Sequence, residues 1–299
     1  ITTPTLPDVL NQAGYQTVLV GRNMHQKGDC GYGKSILGST YVNDDDYDKF
    51  LRAAAPDSGG IRKVINTLGV DCNLWPAHPW PLADSLHPTQ WIADESRKIV
   101  AEAEPSKPLF LTSSYYAPHP PLFPPKKYWD AAAAGKLPQI ARGDWEDWST
   151  ITPKGRDGGH RVLLEGQVLH DAQVGYFGLI DQIDEAVAPL IADFKARSEK
   201  AHRPWVIVVT SDHGEMLGDH GYFRKCEPYE GSGNIPFIFA ASPQLGFQAG
   251  LRINQPVCLE DIMPTLLALA GAKCPDCVDG RDLTPTLRGQ KQDIRPWLH

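Results

Sequence analysis

Three short polar clusters in the chain carry residue types that bind metal ions and anions. They are Arg22 with His25, His119 between prolines, and Asp212 followed directly by His213. A carboxylate beside a neutral imidazole suits a divalent cation in a partly open site, and a guanidinium suits the oxygens of an anion. Taken alone, Asp212-His213 is explained equally well by a capping aspartate beside a surface histidine at a strand-to-helix turn.

The elements that must position these clusters alternate between helices and short strands. Thr5 predicts the cap of a helix over 6–13, which a strand over 16–20 follows, and Thr89 predicts the cap of a second helix before a strand over 108–112. The remaining predicted elements are a helix over 168–194, strands over 205–210 and 235–240, and a helix over 259–270 closed by Gly271. This order predicts an α/β fold with a mostly parallel sheet sandwiched by helices. Because functional groups in such sheets gather beyond the carboxyl ends of the strands, the polar clusters are expected at one sheet edge.

Composition excludes several classes of partner. The net charge is −7 and no basic stripe is present, so we expect neither nucleic acid nor a membrane surface as a partner. The longest apolar runs, such as 205–209, fall far short of the roughly 20 residues of a membrane helix, which predicts a soluble protein. Six scattered cysteines do not form a disulfide framework, so periplasmic, secreted and cytoplasmic locations in a bacterium all stay open. The acidic run 44–48 is interpreted as a solvated loop, because it lacks the glycine and distal glutamate of a calcium-binding hand.

The stretch from Thr210 to Gly221, with Lys225 and Tyr229-Glu230 after it, closely resembles the sulfatase family of the alkaline phosphatase superfamily. Further segments resemble that family in the same order along the chain: 5–6, 13–17, 21–25, 107–121, 171–184, 261–265 and 279–281. The resemblance implies an alkaline phosphatase-like fold and one sulfatase-type catalytic domain over residues 1–299, truncated at both ends. A first strand with the nucleophile helix is expected upstream, and a small antiparallel subdomain downstream.

The resemblance also implies roles for individual residues. Asp212 and His213 would be metal ligands, with calcium the usual ion. Lys225 would contact the sulfate and the leaving-group oxygen, and His119 would be the general acid that protonates the departing alcohol. Residues implied to line the site are Arg22, as an anion clamp, His25, as a catalytic group, and His220, as a substrate contact. Two residues separate Arg22 from His25, whereas the family usually has one between the corresponding basic pair.

The nucleophile of the resembled family has no counterpart here. Family members carry an acidic pair of metal ligands and a Cys/Ser-x-Pro-x-Arg motif, whose first residue a maturation enzyme oxidises to formylglycine. None of the six cysteines has that context, so the nucleophile is expected upstream of Ile1 and the chain alone is expected to be inactive. The implied activity is release of inorganic sulfate from a small-molecule or carbohydrate sulfate ester. We also expect an uncovered apolar sheet edge or face, with Asp212 and His213 in an open groove.

Two other functions stay open at this point. One is a single-metal hydrolase of phosphonate or phosphate monoesters, since one anion-clamping site serves either ester. The other is a non-catalytic pseudoenzyme or binding domain. Two-metal relatives are disfavoured, because no histidine lies between His220 and the terminal His299 to hold a second ion.

Overall fold

The structure of the protein is a computed structural model, which describes residues 3–23, 28–152 and 161–298. His25 lies outside these residues. The helices are α1 Leu6–Gln12, α2 Asp46–Ala54, α3 Ile61–Leu68, α4 Pro88–Glu102, α5 Lys126–Ala134, α6 Gly166–Lys200, α7 Glu230–Gly233, α8 Ile262–Ala270 and α9 Thr284–Leu287. The strands are β1 Gln16–Gly21, β2 Lys34–Leu37, β3 Leu109–Ser114, β4 Val206–Thr210 and β5 Phe237–Ala241.

The first helix and strand form where local sequence signals predicted them. The Thr5 hydroxyl accepts a hydrogen bond from the Asp8 amide at 3.3 Å, and the Asp8 carboxylate accepts one from the Thr5 amide at 2.8 Å. This reciprocal pair satisfies amides that the first turn of α1 leaves without helical partners. The apolar run after Gly14 is then buried as β1, which confirms the first helix-strand unit.

A parallel three-stranded sheet aligns the ends of its strands. β1 lies between β2 and β3 and is parallel to both. Its last residue, Gly21, is in register with Ser114 at the end of β3, and the Arg22 amide donates to the Ser114 carbonyl at 3.0 Å. The residues that follow β1 and β3 therefore start at the same sheet edge. This arrangement confirms the predicted α/β fold with a parallel, helix-flanked sheet.

The pair formed by β4 and β5 departs from the parallel pattern. These strands are antiparallel, with register from Val206 opposite Ala241 to Thr210 opposite Phe237. A parallel pairing needs a crossover that returns the chain to the same end of the sheet, usually a helix. Here the connecting segment contains a 3-10 turn, Asp219–Gly221, and the single-turn helix α7, and is otherwise loop. The prediction of parallel order was wrong for this pair.

One face of the β4–β5 pair is packed and the other is open. Phe237 and Phe239 pack against a small core that includes Leu283. On the opposite face, Val209 and Ile238 are register partners and are 44% and 56% exposed. The expectation of an uncovered apolar sheet face is thus confirmed.

The main core lies between β1, α4 and the helices beside them. Val18 and Val20 of β1 pack with Trp91 and Ile92 of α4. The cap of α4 is His87, whose Nδ1 accepts from the Thr89 amide at 3.1 Å, so the prediction that Thr89 is the cap was wrong. The reason is that the His87 ring is buried against Trp80 and Phe123 and can act as the acceptor. Across the described ranges, no helix combines the length and apolarity needed to cross a bilayer.

The acidic run 44–48 begins a helix. The Asp45 carboxylate caps α2 by accepting from the Asp48 amide at 2.8 Å. Asp48 is fully buried, where it pairs with Arg52 at 2.7 Å and accepts from the Ile61 amide. The interpretation of this run as a solvated loop was therefore wrong, because two of its carboxylates have internal partners. Burial raises the pKa of Asp45 to about 6, although hydrogen bonds from Asp48 and Ser39 oppose the rise.

A buried ion pair ties the end of the chain to α8. Asp261 is fully buried and accepts from both Arg295 guanidinium nitrogens, at 2.5 and 2.6 Å. Its carboxylate also accepts from the Arg281 amide at 2.7 Å and from the Cys258 amide at 2.9 Å. The bond from Arg281 joins the segments 261–265 and 279–281, which the sequence singled out as separate motifs.

Candidate active site

Arg22 directly follows β1 and lies over aromatic rings. Its guanidinium carbon is 4.4 Å from the centroid of the Tyr116 ring and 5.7 Å from that of Tyr41. The Tyr116 ring lies 4.8 Å from the His119 ring, between centroids. Arg22 therefore presents a fixed positive charge at the edge where His119 also lies. Tyr116 was not predicted as part of the site, because a tyrosine at the end of an apolar strand is typical of packing.

His119 belongs to the loop after β3, between two cis peptide bonds to proline. Its Nδ1 is 2.8 Å from the Pro120 carbonyl oxygen. A carbonyl only accepts, so Nδ1 carries the hydrogen and Nε2 presents its lone pair. The Lys225 ammonium donates to that Nε2 at 2.8 Å. Burial lowers the pKa of His119 to about 4, against the bond to Pro120, and the nearby Lys225, His213 and Arg22 lower it further.

Lys225 reaches the site from the loop between β4 and α7. Burial lowers the pKa of its ammonium, while the carboxylates of Glu215 and Asp212 oppose that shift. Burial has the opposite effect on the carboxyl of Glu215 and raises its pKa to about 7. Hydrogen bonds from the Leu217 and Arg224 amides oppose this rise. Sequence reasoning did not assign Glu215 a role, although its place in the Asp-His-Gly-Glu segment was a usable signal.

Asp212 and His213 follow the end of β4 within three residues. His213 Nδ1 donates to the Gly214 carbonyl at 2.7 Å, so its Nε2 has a free lone pair. That Nε2 lies 3.5 Å from Asp212 Oδ2, and Asp212 is 45% exposed. The His213 and His119 rings lie edge to face, with centroids 5.8 Å apart. The carboxyl end of β4 thus joins those of β1 and β3 in one open site.

The donor set at Asp212 and His213 fits part of a metal site. One carboxylate oxygen and one imidazole nitrogen are accessible on the same side, as a divalent cation requires. Within the ranges that the structure describes, no cluster of three or more histidine, cysteine, aspartate or glutamate side chains could hold an ion. The chemistry of these two side chains would suit two ligands of such an ion, and an ion held by this site would need further ligands.

His220 lies apart from the Lys225–His119 pair in a stack of rings. Its imidazole lies between Trp145, at 5.5 Å between centroids, and Tyr229, at 4.4 Å. The three rings are near parallel, with interplanar angles of 26° and 22°. In the described part of the chain, the buried His220 Nδ1 has no hydrogen-bond partner. The structure brings together Arg22, His119, Asp212, His213 and Lys225. His220 lies in the loop that also carries Lys225, but it is part of an aromatic stack.

Strand ends that bring an arginine, a histidine and an aspartate–histidine pair into one site, beside a parallel sheet with flanking helices, define an α/β protein of the alkaline phosphatase-like fold. The family model described as "Sulfatase" matches residues 1–272, and the chain belongs to the sulfatase family. It is 32% identical to an arylsulfatase of Clostridium perfringens over 99% of this chain and 64% of that protein. It is 26% identical to a choline-sulfatase of Rhizobium meliloti over 96% of this chain and 56% of that protein. The chain therefore spans less than two thirds of the length of these relatives.

Solved structures share the fold at lower identity. A phosphonate monoester hydrolase of Agrobacterium radiobacter superposes with a TM-score of 0.73 at 21% identity, over 97% of this chain and 62% of that one. A structure solved in complex with its substrate D-glucosamine-2-N,6-O-disulfate superposes with a TM-score of 0.67 at 19% identity, over 98% of this chain and 67% of that one. These likenesses concern the architecture.

Proposed function

We propose that this chain forms part of a sulfuric ester hydrolase, which releases inorganic sulfate from an organic sulfate ester. The observation that carries the proposal is the hydrogen bond of 2.8 Å between Lys225 and His119, with the Asp212–His213 pair beside it. The ends of β3 and β4 and the loop before α7 supply these groups, and packing does not require that convergence. Membership of the sulfatase family supports the same activity.

The positive groups suit the departing alcohol and the sulfate oxygens. As the bond between sulfur and the alcohol oxygen breaks, that oxygen gains negative charge and needs a proton. The proton of the Lys225–His119 hydrogen bond lies on Lys225, and His119 Nε2 accepts it. Lys225 would pass this proton to His119, which would deliver it to the departing oxygen as general acid. The fixed charge of Arg22 would stabilise the sulfuryl oxygens.

We propose that Asp212 and His213 hold a divalent cation, with calcium as the first candidate, and that further ligands come from elsewhere in the full-length protein. When bound, the cation would offset charge on the sulfuryl oxygens. The nucleophile would be the hydrated aldehyde of a formylglycine, which a maturation enzyme would install in a segment upstream of Ile1 of the full-length protein. Neither the cation nor the aldehyde belongs to the residues described here.

We further propose a ring-bearing substrate, such as an aryl or carbohydrate sulfate. The indole of Trp145 is 67% exposed and is supported from behind by the His220 and Tyr229 rings. A pre-stacked indole offers an apolar face to a flat ring without first losing side-chain freedom. His220 would then contribute to substrate binding by holding Trp145 in place.

The test uses the full-length protein produced together with a formylglycine-generating enzyme. Release of sulfate from an aryl sulfate is measured for the wild type and for Lys225→Ala and His119→Ala. Loss of one group that assists proton transfer lowers the rate by about 100-fold or more, so both variants should fall by that factor. Lys126→Ala, at an exposed position of α5, is the matched control and should keep full activity. Full activity of Lys225→Ala would refute the proposal.

A further inference from the structure

The backbone that presents Lys225 has an unusual conformation on both sides of that residue. Arg224 and Cys226 have φ angles of 72° and 82°. Residues with a Cβ atom rarely adopt this left-handed region, because the side chain crowds the neighbouring carbonyl. Two such residues, one on each side of Lys225, keep this strained conformation only if contacts from other segments stabilise it.

A glutamate holds the first of these residues. The Arg224 amide donates a hydrogen bond to Glu215 Oε1, and the Leu217 amide donates to the same oxygen at 3.0 Å. The Met216 amide donates to the Arg224 carbonyl at 2.7 Å, so the two segments are joined in both directions. Glu215 lies two residues after His213, which ties the backbone of Lys225 to that of the Asp212–His213 pair.

A buried serine holds the second residue. The Cys226 amide donates to the Ser232 hydroxyl at 3.1 Å, and Ser232 is buried. The Ser232 carbonyl accepts from the Gly214 amide at 2.8 Å. Ser232 thus also links the Lys225 loop to the Asp-His-Gly segment.

We propose that Glu215 and Ser232 are positioning residues, which hold the left-handed backbone at Arg224 and Cys226 and thereby aim Lys225 at His119. Neither side chain is placed at the reacting atoms, and both act on amides that flank Lys225. The effect on turnover rests on the proposed function, whereas the effect on the two amides does not. The two can therefore be tested separately.

Hydrogen exchange of the Arg224 and Cys226 amides tests the contacts with Glu215 and Ser232 and needs no assay of catalytic activity. Glu215→Ala should speed exchange at Arg224, and Ser232→Ala should speed exchange at Cys226, each by about tenfold, the scale of one lost buried hydrogen bond. Glu185→Ala makes the same truncation at an exposed position on α6 and should alter neither amide. Unchanged exchange in both variants would overturn the proposal.

Steady-state kinetics of the full-length, matured protein test whether Glu215 and Ser232 act through Lys225. Glu215→Ala and Ser232→Ala should each lower kcat by about tenfold, with KM little changed. In a Lys225→Ala background, the same substitutions should cost less than about twofold, because residues in one coupled unit are not additive. Equal losses in both backgrounds would overturn the proposal, even if the protein is a sulfatase.

A rescue variant separates conformation from general destabilisation. Glycine adopts positive φ without a steric penalty, so Cys226→Gly should restore part of the kcat lost in Ser232→Ala. The exchange rate of the residue 226 amide should stay high, since the hydroxyl acceptor is still missing. Failure of Cys226→Gly to raise kcat in a folded double variant would count against the left-handed backbone as the feature that Ser232 maintains.

Discussion

Replacing Asp261 with asparagine should destabilise the fold strongly while changing little in shape. The carboxylate accepts four hydrogen bonds, two from Arg295 and one each from the Arg281 and Cys258 amides. An asparagine keeps one oxygen and turns an NH₂ group toward donors, which leaves at least one donor unpaired and the Arg295 charge uncompensated. Breaking a buried pair in this way costs about 3–5 kcal/mol. At about 2 °C per kcal/mol for a domain of this size, the melting temperature should fall by about 6–10 °C.

The pH dependence of the unfolding free energy tests whether the ionised Asp261 carboxylate causes this loss of stability. Burial raises the pKa of Asp261, but the Arg295 ion pair and the two amide bonds outweigh burial and leave the pKa below its ordinary value. A carboxyl whose pKa is lowered by folding adds stability above its unfolded pKa of about 3.9, and that stability is lost as pH falls through the folded pKa. Thermal unfolding should therefore give a constant gap between wild type and Asp261→Asn from pH 6 to 8, narrowing below about pH 4.

The control for this experiment is Asp276→Asn, an exposed carboxylate 3.9 Å from Lys273, which should change the unfolding free energy by less than about 0.5 kcal/mol. If Asp261→Asn lowers the unfolding free energy by less than 1 kcal/mol at pH 7, the Asp261–Arg295 ion pair is not a main stabilising contact of the C-terminal segment. If the difference in stability between wild type and Asp261→Asn grows as pH falls, the direction given for the Asp261 pKa shift is wrong.

Three further outcomes follow from the site. Gly214→Ala places a Cβ 2.2 Å from the Gly231 carbonyl oxygen, so thermal unfolding should shift down by several degrees, whereas Gly233→Ala meets open space and should shift it little. Trp145→Ala should raise KM for an aryl sulfate by about three- to tenfold and leave KM for a methyl-sized ester unchanged, which steady-state kinetics would show. In the full-length protein, Asp212→Asn should abolish the rise in melting temperature on calcium addition, and an unchanged rise would remove Asp212 from the metal site.

The parts of the fold that the sequence predicted are those set by local patterns. The capping threonine before α1, the apolar run of β1 and the glycine after α8 each act within a few residues, and each formed as predicted. The short helices α2, α3 and α5 were not predicted, since each is eight or nine residues long and draws its stability from tertiary packing. The antiparallel direction of β5 depends on how the long β4–β5 loop returns, which no local signal encodes.

The site was predictable as far as its residue types followed strand ends. His119 and the Asp212–His213 pair could be singled out because each follows a strand, and the family resemblance selected Lys225 from the other lysines. Their meeting joins the ends of strands from two different sheets, which no local pattern encodes. The support beneath them was not predictable: Tyr116 under Arg22, Glu215 on the Arg224 amide and the ring stack at His220 each depend on residues that meet only after folding. Roles inferred for His25 remain predictions, as it lies outside the described residues.

The most direct test of the proposed sulfatase activity compares two esters of the same phenol. The full-length protein, matured by a formylglycine-generating enzyme, is assayed for kcat/KM with the aryl sulfate and with the aryl phosphate. Sulfatase function predicts a clear preference for the sulfate, lost without maturation and in Lys225→Ala. Preference for the phosphate would contradict it in favour of a phosphate or phosphonate monoester hydrolase, and absence of both activities would favour a non-catalytic protein.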